Sequence, residues 1–203
     1  MGAIDAGHSR VAMRILQIAD VDPSPDLGAA GTEYESARAL KQLGLDVTTV
    51  WTDELSHRIR HYNLRYVLEL PQSIRTAVLG YLSKAHYDIV QVSQPHGYLA
   101  AAALADRHPR TRFVHRSHGF EPHVKEALGR WSDLYKPRRA LHRRLATVAM
   151  GIALERNNRN VARYADGHLV SATECAEFIA TRYSVPAARV AAVPQATPQA
   201  FQH

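Results

Sequence analysis

Residues Arg14–Thr52 read RILQIADVDPSPDLGAAGTEYESARALKQLGLDVTTVWT: an apolar run, a loop of small residues, a helix-period segment and a β-branched run. Strand, helix and strand in that order predict a parallel pair joined by a right-handed crossover. The helix is expected to start at Thr32, where Thr-Glu-Tyr-Glu has the form of a capping box, and to stop at Gly44. Ahead of it, Gly28, Ala29, Ala30 and Gly31 are small enough for the backbone to approach another molecule closely, and a helix start offers free N–H groups to an anion. Glu33 and Glu35, placed by this reading in the first helical turn, satisfy the helix dipole themselves and repel an anion, so the loop alone does not decide its use.

The alternation continues to the C-terminus. YDIVQVSQ (Tyr87–Gln94), RFVHRSHG (Arg112–Gly119), DGHLVSAT (Asp166–Thr173) and RVAAVPQ (Arg189–Gln195) read as further strands, with helical segments between most of them. Ser-Ala-Thr-Glu, from Ser171 to Glu174, is a second capping box opening a late helix. The expectation is an α/β domain of three layers, Rossmann-like, with a mainly parallel sheet covered on both faces. In such sheets ligands sit beyond the carboxyl ends of the strands. Residues 1–13 read as a tail, 14–195 as the domain and 196–203 as an exit linker, because VPQATPQAFQH carries prolines and no apolar period. The stretch from Asp53 to Pro71 has no clean period and reads as a helical or irregular insertion with a surface role.

Composition narrows the class. The 203 residues are 46% hydrophobic and 22% charged, the balance of a soluble globular chain. No run is long enough to span a bilayer and the N-terminus lacks a signal peptide's apolar centre, so a cytoplasmic location is expected. Cys175, the one cysteine, offers neither a disulfide nor metal-site spacing and reads as a small helix residue. A net charge of +6 favours acidic partners. Nucleic acid is disfavoured, since no aromatic residues interleave the arginines and no recognition motif accompanies them.

The loops after the strands carry the candidate chemistry. Gly28 and Gly31 alone do not make a dinucleotide fingerprint, although Asp53 stands roughly where a ribose-binding acid would, and no Gly-Lys-Ser/Thr completes a P-loop. His115 and His118 point to opposite faces of a strand at a spacing of three, and His118, followed by Gly119 at the strand's carboxyl end, is the functional candidate. His96 and His123 occupy similar loops and read as structural, and no metal site is expected. In KPRRALHRRLATVAMGIALER (Lys136–Arg156), Leu141, Leu145, Val148 and Ile152 form one apolar stripe beside Arg139, Arg143 and Arg144. An ordinary helix packed on the sheet with a solvated basic face, or a contact with an anionic membrane, both fit it.

In combination these segments resemble the opening half of retaining glycosyltransferases of family 4, which have the GT-B fold. Ala30, Gly31, Thr32 and Glu33 stand for that family's Gly-Gly-x-Glu-like loop, and YDIVQVSQPHGYLAAAALA for its Asp-hydrophobic strand and alanine-rich helix. RFVHRSHGFE resembles its Ser-x-His-Gly strand end, and the stretch from Glu155 to Phe201 its Ala-Asp, Val-Ser and Val-Pro segments, with Gln195 and Ala196 where Asn and Gly are usual. The resemblance implies a hexosyltransferase-like enzyme of polysaccharide biosynthesis. It would move a sugar from a nucleotide-sugar to a glycan or lipid-linked acceptor with retention, without a cofactor. Gly28, Ala30, Gly31 and Thr32 would lie near the donor's phosphates, and Glu33 would cap the helix. His118 would lie near the transferred sugar, and His96, Gly119, Glu121 and Ser171 on the acceptor side. The family's second domain, which binds most of the donor and holds its paired glutamates, has no counterpart in these residues. The chain is therefore expected to be inactive without a donor-binding domain in cis or in trans, and a non-catalytic acceptor-binding subunit is the alternative. Arg139, Arg143 and Arg144 would supply a peripheral contact with the inner face of the membrane.

Overall fold

The computed structural model of the protein describes residues 12–26, 28–119, 126 and 141–194; the side chains of 141–144 are not among them. All six expected strands form: β1 (Arg14–Ile18), β2 (Asp46–Val50), β3 (Ile89–Ser93), β4 (Arg112–Arg116), β5 (Gly167–Val170) and β6 (Val190–Ala192). They pair as one wholly parallel sheet in the order β2-β1-β3-β4-β5-β6. The chain therefore moves one way from β1 to β2 and the other way from β3 onward, which makes the β1/β3 junction the topological switch point.

The helices are α1 (Gly28–Gln42), α2 (Tyr62–Leu64), α3 (Leu70–Leu82), α4 (Tyr98–Arg107), α5 (Leu141–Tyr164) and α6 (Thr173–Tyr183), with a π-helical segment (Arg65–Glu69) joining α2 to α3. Period-two alternation sorts the strand residues onto two faces. Leu16, Ile18, Val90, Val92 and Phe113 pack with Ile74 and Val78 of α3, Leu104 of α4 and Val161 of α5 in the main core. Val170 meets Cys175 and Ile179 of α6 on the same side, so Cys175 is a buried helix residue. The other face carries Ile15 and Val47 against Ala37 of α1. Among the described residues α1 is the helix on that face, and beyond it Val114 and Leu169 stay half-buried.

Close packing beneath β3 depends on one glycine. A Cβ at Gly97 would lie 2.8 Å from Val92 Cγ1 and 2.9 Å from Phe113 Cζ, so the turn at Pro95–Gly97 approaches the sheet more tightly than any larger residue allows. Gly44 ends α1 as expected, at φ +82, with its N–H donating to the Lys41 carbonyl.

Four expectations need correction. The first helix begins at Gly28, not Thr32, so its first turn holds no acidic residue and no capping box forms. Thr32 instead donates its hydroxyl to the Gly28 carbonyl inside the helix. The Ser171–Glu174 box is absent as well: Ala172 is the N-cap of α6 and no side chain caps it. The stretch from Asp53 to Pro71 is partly helical and partly core. Arg65, Leu70 and Pro71 are buried, and Glu69 accepts from Ser56 Oγ at 2.6 Å and from the Arg58 and Ile59 amides at 2.7 Å, which fastens the preceding loop to the helix. Finally, the stripe on α5 does not face the sheet: Leu145, Val148 and Ile152 are 61%, 60% and 67% exposed, and the helix packs through Val161 and Ala162 near its end, with Ala165 buried just beyond it. The remainder of that stretch, from Lys136 to Ala140 with Arg139, lies outside the described residues, as do the side chains of Arg143 and Arg144.

Candidate functional site

The early start of α1 changes what Glu33 does. Ala30, Glu33 and Ala37 share the buried face of the helix, three and four residues apart, and that face lies on the sheet. The Glu33 carboxylate is wholly buried over the carboxyl ends of three strands. It accepts hydrogen bonds from Gln17 Nε2 of β1 and Ser93 Oγ of β3, and more weakly from Gln91 Nε2 at 3.4 Å. Beyond the end of β4, His118 Nε2 donates to Glu33 Oε1 at 2.7 Å, and Arg116 Nη1 lies 3.5 Å from Oε2.

Burial alone would raise the pKa of this carboxyl. The His118 hydrogen bond, the charge of Arg116, the charge of His118 and the Ser93 hydroxyl outweigh burial and hold Glu33 below the usual carboxylate range. The outcome is a fixed negative charge that orients a histidine ring and a guanidinium at the end of β4. A small cavity of about 270 Å³ opens there, bordered by Arg116, Ser117, His118, Gln91 and Ser171. His118 and Ser171 thus share a wall, with Gly119 half-buried beside them.

The small-residue loop opens elsewhere. Gly28, Ala29 and Ala30 border a second cavity of about 640 Å³ with Asp20 at the end of β1, Asp53 after β2, and Arg65 and Tyr66 of the π segment. Gly31 and Thr32 are buried within α1. His96 lies on the opposite face of the sheet from Glu33, 1% exposed, and its pKa is pushed down by burial to about 4, so the ring is neutral at physiological pH. Glu121 and His123 lie outside the described residues. Among the described residues no three His, Cys, Asp or Glu side chains converge as metal ligands would.

Three contributors carry no signal of a site role in the sequence. Glu33 was hidden by the apparent capping motif, although its spacing from Ala30 and Ala37 puts it on the inner face. Arg116 lies within the Arg112–Gly119 strand segment, where nothing in the sequence sets it apart. Gln94 takes φ 66 and ψ 164, a conformation rare outside glycine, directly after β3 at the switch point, with its N–H donating to the Arg116 carbonyl at 2.8 Å and Oε1 buried without a partner.

A parallel sheet with a reversal between β1 and β3, and polar side chains gathered at its carboxyl edge, is an α/β, Rossmann-like fold. Among solved structures, the apo form of the lipopolysaccharide outer core galactosyltransferase WaaB is similar, at 14% identity and a TM-score of 0.50. The similarity covers 91% of this chain and 46% of that one, so the chain spans about half the length of that relative. A likeness this distant establishes the fold. No protein-family profile and no curated protein matches the chain.

Proposed function

We propose that the chain is the acceptor-side, N-terminal part of a retaining glycosyltransferase that takes a sugar from a nucleotide-sugar and passes it to a glycan or lipid-linked acceptor at the cytoplasmic side of a membrane. The observation that carries this reading is the Glu33–His118 pair with Arg116 at the carboxyl edge of a GT-B-type sheet. In the transfer, the bond between the anomeric carbon and the nucleotide's phosphate oxygen breaks. The acceptor oxygen bonds that carbon, and its proton leaves with the phosphate. A cation and an oriented imidazole at the strand end suit the charge that develops on the departing phosphate. Gly28 and Ala29, in the first turn of α1, are assigned to the donor's phosphates, with Asp20 and Asp53 nearby to accept from sugar hydroxyls.

The donor's nucleotide needs a second domain, supplied in cis or in trans. Incubated alone with a panel of sugar nucleotides and membrane extract, the chain should give background hydrolysis only. Combined with a donor-binding domain it should transfer, and His118→Ala should lower kcat by about 100-fold, the usual loss when one oriented donor at a developing charge is removed. Robust turnover by the chain alone, or full activity of His118→Ala, would overturn the assignment.

A further inference from the structure

A cavity of about 860 Å³ lies on the face of the sheet opposite Glu33, between the π segment, α5 and α6. That volume falls among pockets that enclose small organic ligands, about 300–1,000 Å³. Its walls are apolar: Val67, Val148, Ile152, Leu154 and Phe178 contribute to them, and Val148 and Ile152 belong to the exposed stripe of α5. The polar groups at its rim are satisfied. Glu155 accepts from Arg159 Nε at 3.1 Å, Arg182 Nη2 at 3.4 Å and the Tyr183 hydroxyl at 3.1 Å.

Two polar side chains that line it are not satisfied. His96 is 1% exposed, and neither ring nitrogen has a hydrogen-bond partner. Asn157 is 4% exposed, and its Nδ2 has none either. The Tyr66 ring stands edge-on to His96 at 4.3 Å and also borders the cavity at the start of α1, so the two cavities share a wall. Buried polar atoms without partners are rare and costly, and a ligand that supplies the partners removes the cost. A neutral imidazole offers one N–H and one bare nitrogen, and Nδ2 offers N–H alone. A hydroxyl answers both, since it donates one hydrogen bond and accepts others. A carboxylate or an ammonium group would be stranded there, because Glu155, Arg159 and Arg182 at the rim are paired with one another.

We propose that this cavity binds a hydrophobic alcohol, its apolar body along α5 and its hydroxyl group paired with His96 and Asn157. The further identification of that alcohol as the sugar acceptor rests on the glycosyltransferase reading above and on the wall shared through Tyr66.

Calorimetric titration of the full chain, with no nucleotide-sugar present, tests the site directly. n-Decanol and 2-naphthol serve as aliphatic and aromatic probes, with decane, naphthalene and decanoate as partners lacking the neutral hydroxyl. Saturable one-to-one binding of at least one alcohol is expected, about tenfold or more tighter than its hydrocarbon. The better of the two alcohols identifies the apolar body as chain-like or ring-like. Ile152→Glu, on an exposed position that leaves folding undisturbed, should weaken binding about tenfold, and His96→Phe should erase the preference for alcohol over hydrocarbon. Equal affinity for alcohol and hydrocarbon, binding indifferent to Ile152→Glu, or no saturable binding of either alcohol would overturn the site. Binding without glycosylation of the bound alcohol in the assembled enzyme would keep the site and overturn only its identification with the acceptor.

Discussion

Glu33 shows how a single side chain ties three strands to one helix. Its charge is buried, so its worth depends on the donors around it, and removing the charge strands Arg116 and His118 instead. Replacing it with glutamine keeps the size and loses the counter-charge. Glu33→Gln is expected to destabilise the fold by about 3–5 kcal/mol, the range for breaking a buried ion pair from one side. The urea midpoint reports this directly. The acid limb gives an independent reading: because the folded pKa is depressed, the stability from Glu33 is present above the ordinary carboxylate range and lost as pH falls through the folded value. That part of the limb should vanish in the variant, and an unchanged midpoint and acid limb would mean the cluster is decorative. The sequence made His118 legible because a histidine before glycine at a strand end is conspicuous. It concealed Glu33 because Thr-x-x-Glu and an inward-facing acid one turn into a helix look alike until the helix start is known.

Strands and helices differed in legibility for a physical reason. Each strand is a short β-branched or apolar run bounded by polar residues, and burial on both faces leaves little else that β1, β3 or β4 could be. Helix starts were misplaced by up to a turn, because Gly28-Ala-Ala-Gly offers no capping side chain and helix formation there is decided by packing on the sheet. The π segment gave no signal, since it depends on Glu69 being held by Ser56 and two amides from a loop ten to thirteen residues earlier. In α5 the apolar period marks a stripe but leaves open which way it faces; at Leu145, Val148 and Ile152 it faces outward. An apolar stripe beside arginines is suited to an anionic bilayer, each arginine contributing on the order of 1 kcal/mol near the surface. Vesicle co-sedimentation should therefore show binding that requires anionic lipid, weakens as salt rises, and weakens again when Arg139, Arg143 and Arg144 become glutamine. Equal binding to neutral vesicles, or none at low salt, would return α5 to a solvated face. Among the described residues no helix is long and apolar enough to cross a membrane.

At the scale of the whole molecule, three histidines among the described residues, His96, His115 and His168, are buried. His115 Nδ1 and His168 Nδ1 are 3.1 Å apart across neighbouring strands, one donating to the other, a pairing that only the β4–β5 register brings about. Burial lowers His96 and His168 to about 4 and holds His115 well below its ordinary value, with Arg189 adding to the effect at His168 and His168 itself at His115. Below the ordinary histidine value of about 6.5 the unfolded chain binds more protons than the folded one. Stability is therefore fully present above that value and drains away as pH falls toward about 4, by roughly 3 kcal/mol for each of His96 and His168. Urea midpoints followed from neutral pH down to about 4 should fall steadily, and a flat profile would refute it. The strand order carries a different consequence, in the making of the chain rather than its keeping. β1 gains β2 on one edge soon after both leave the ribosome, but its other edge waits for β3, whose residues lie from Ile89 to Ser93. At about 5–20 residues per second the nascent protein carries that bare edge for a few seconds, and in that interval chaperones and neighbouring nascent chains compete for the place β3 will take.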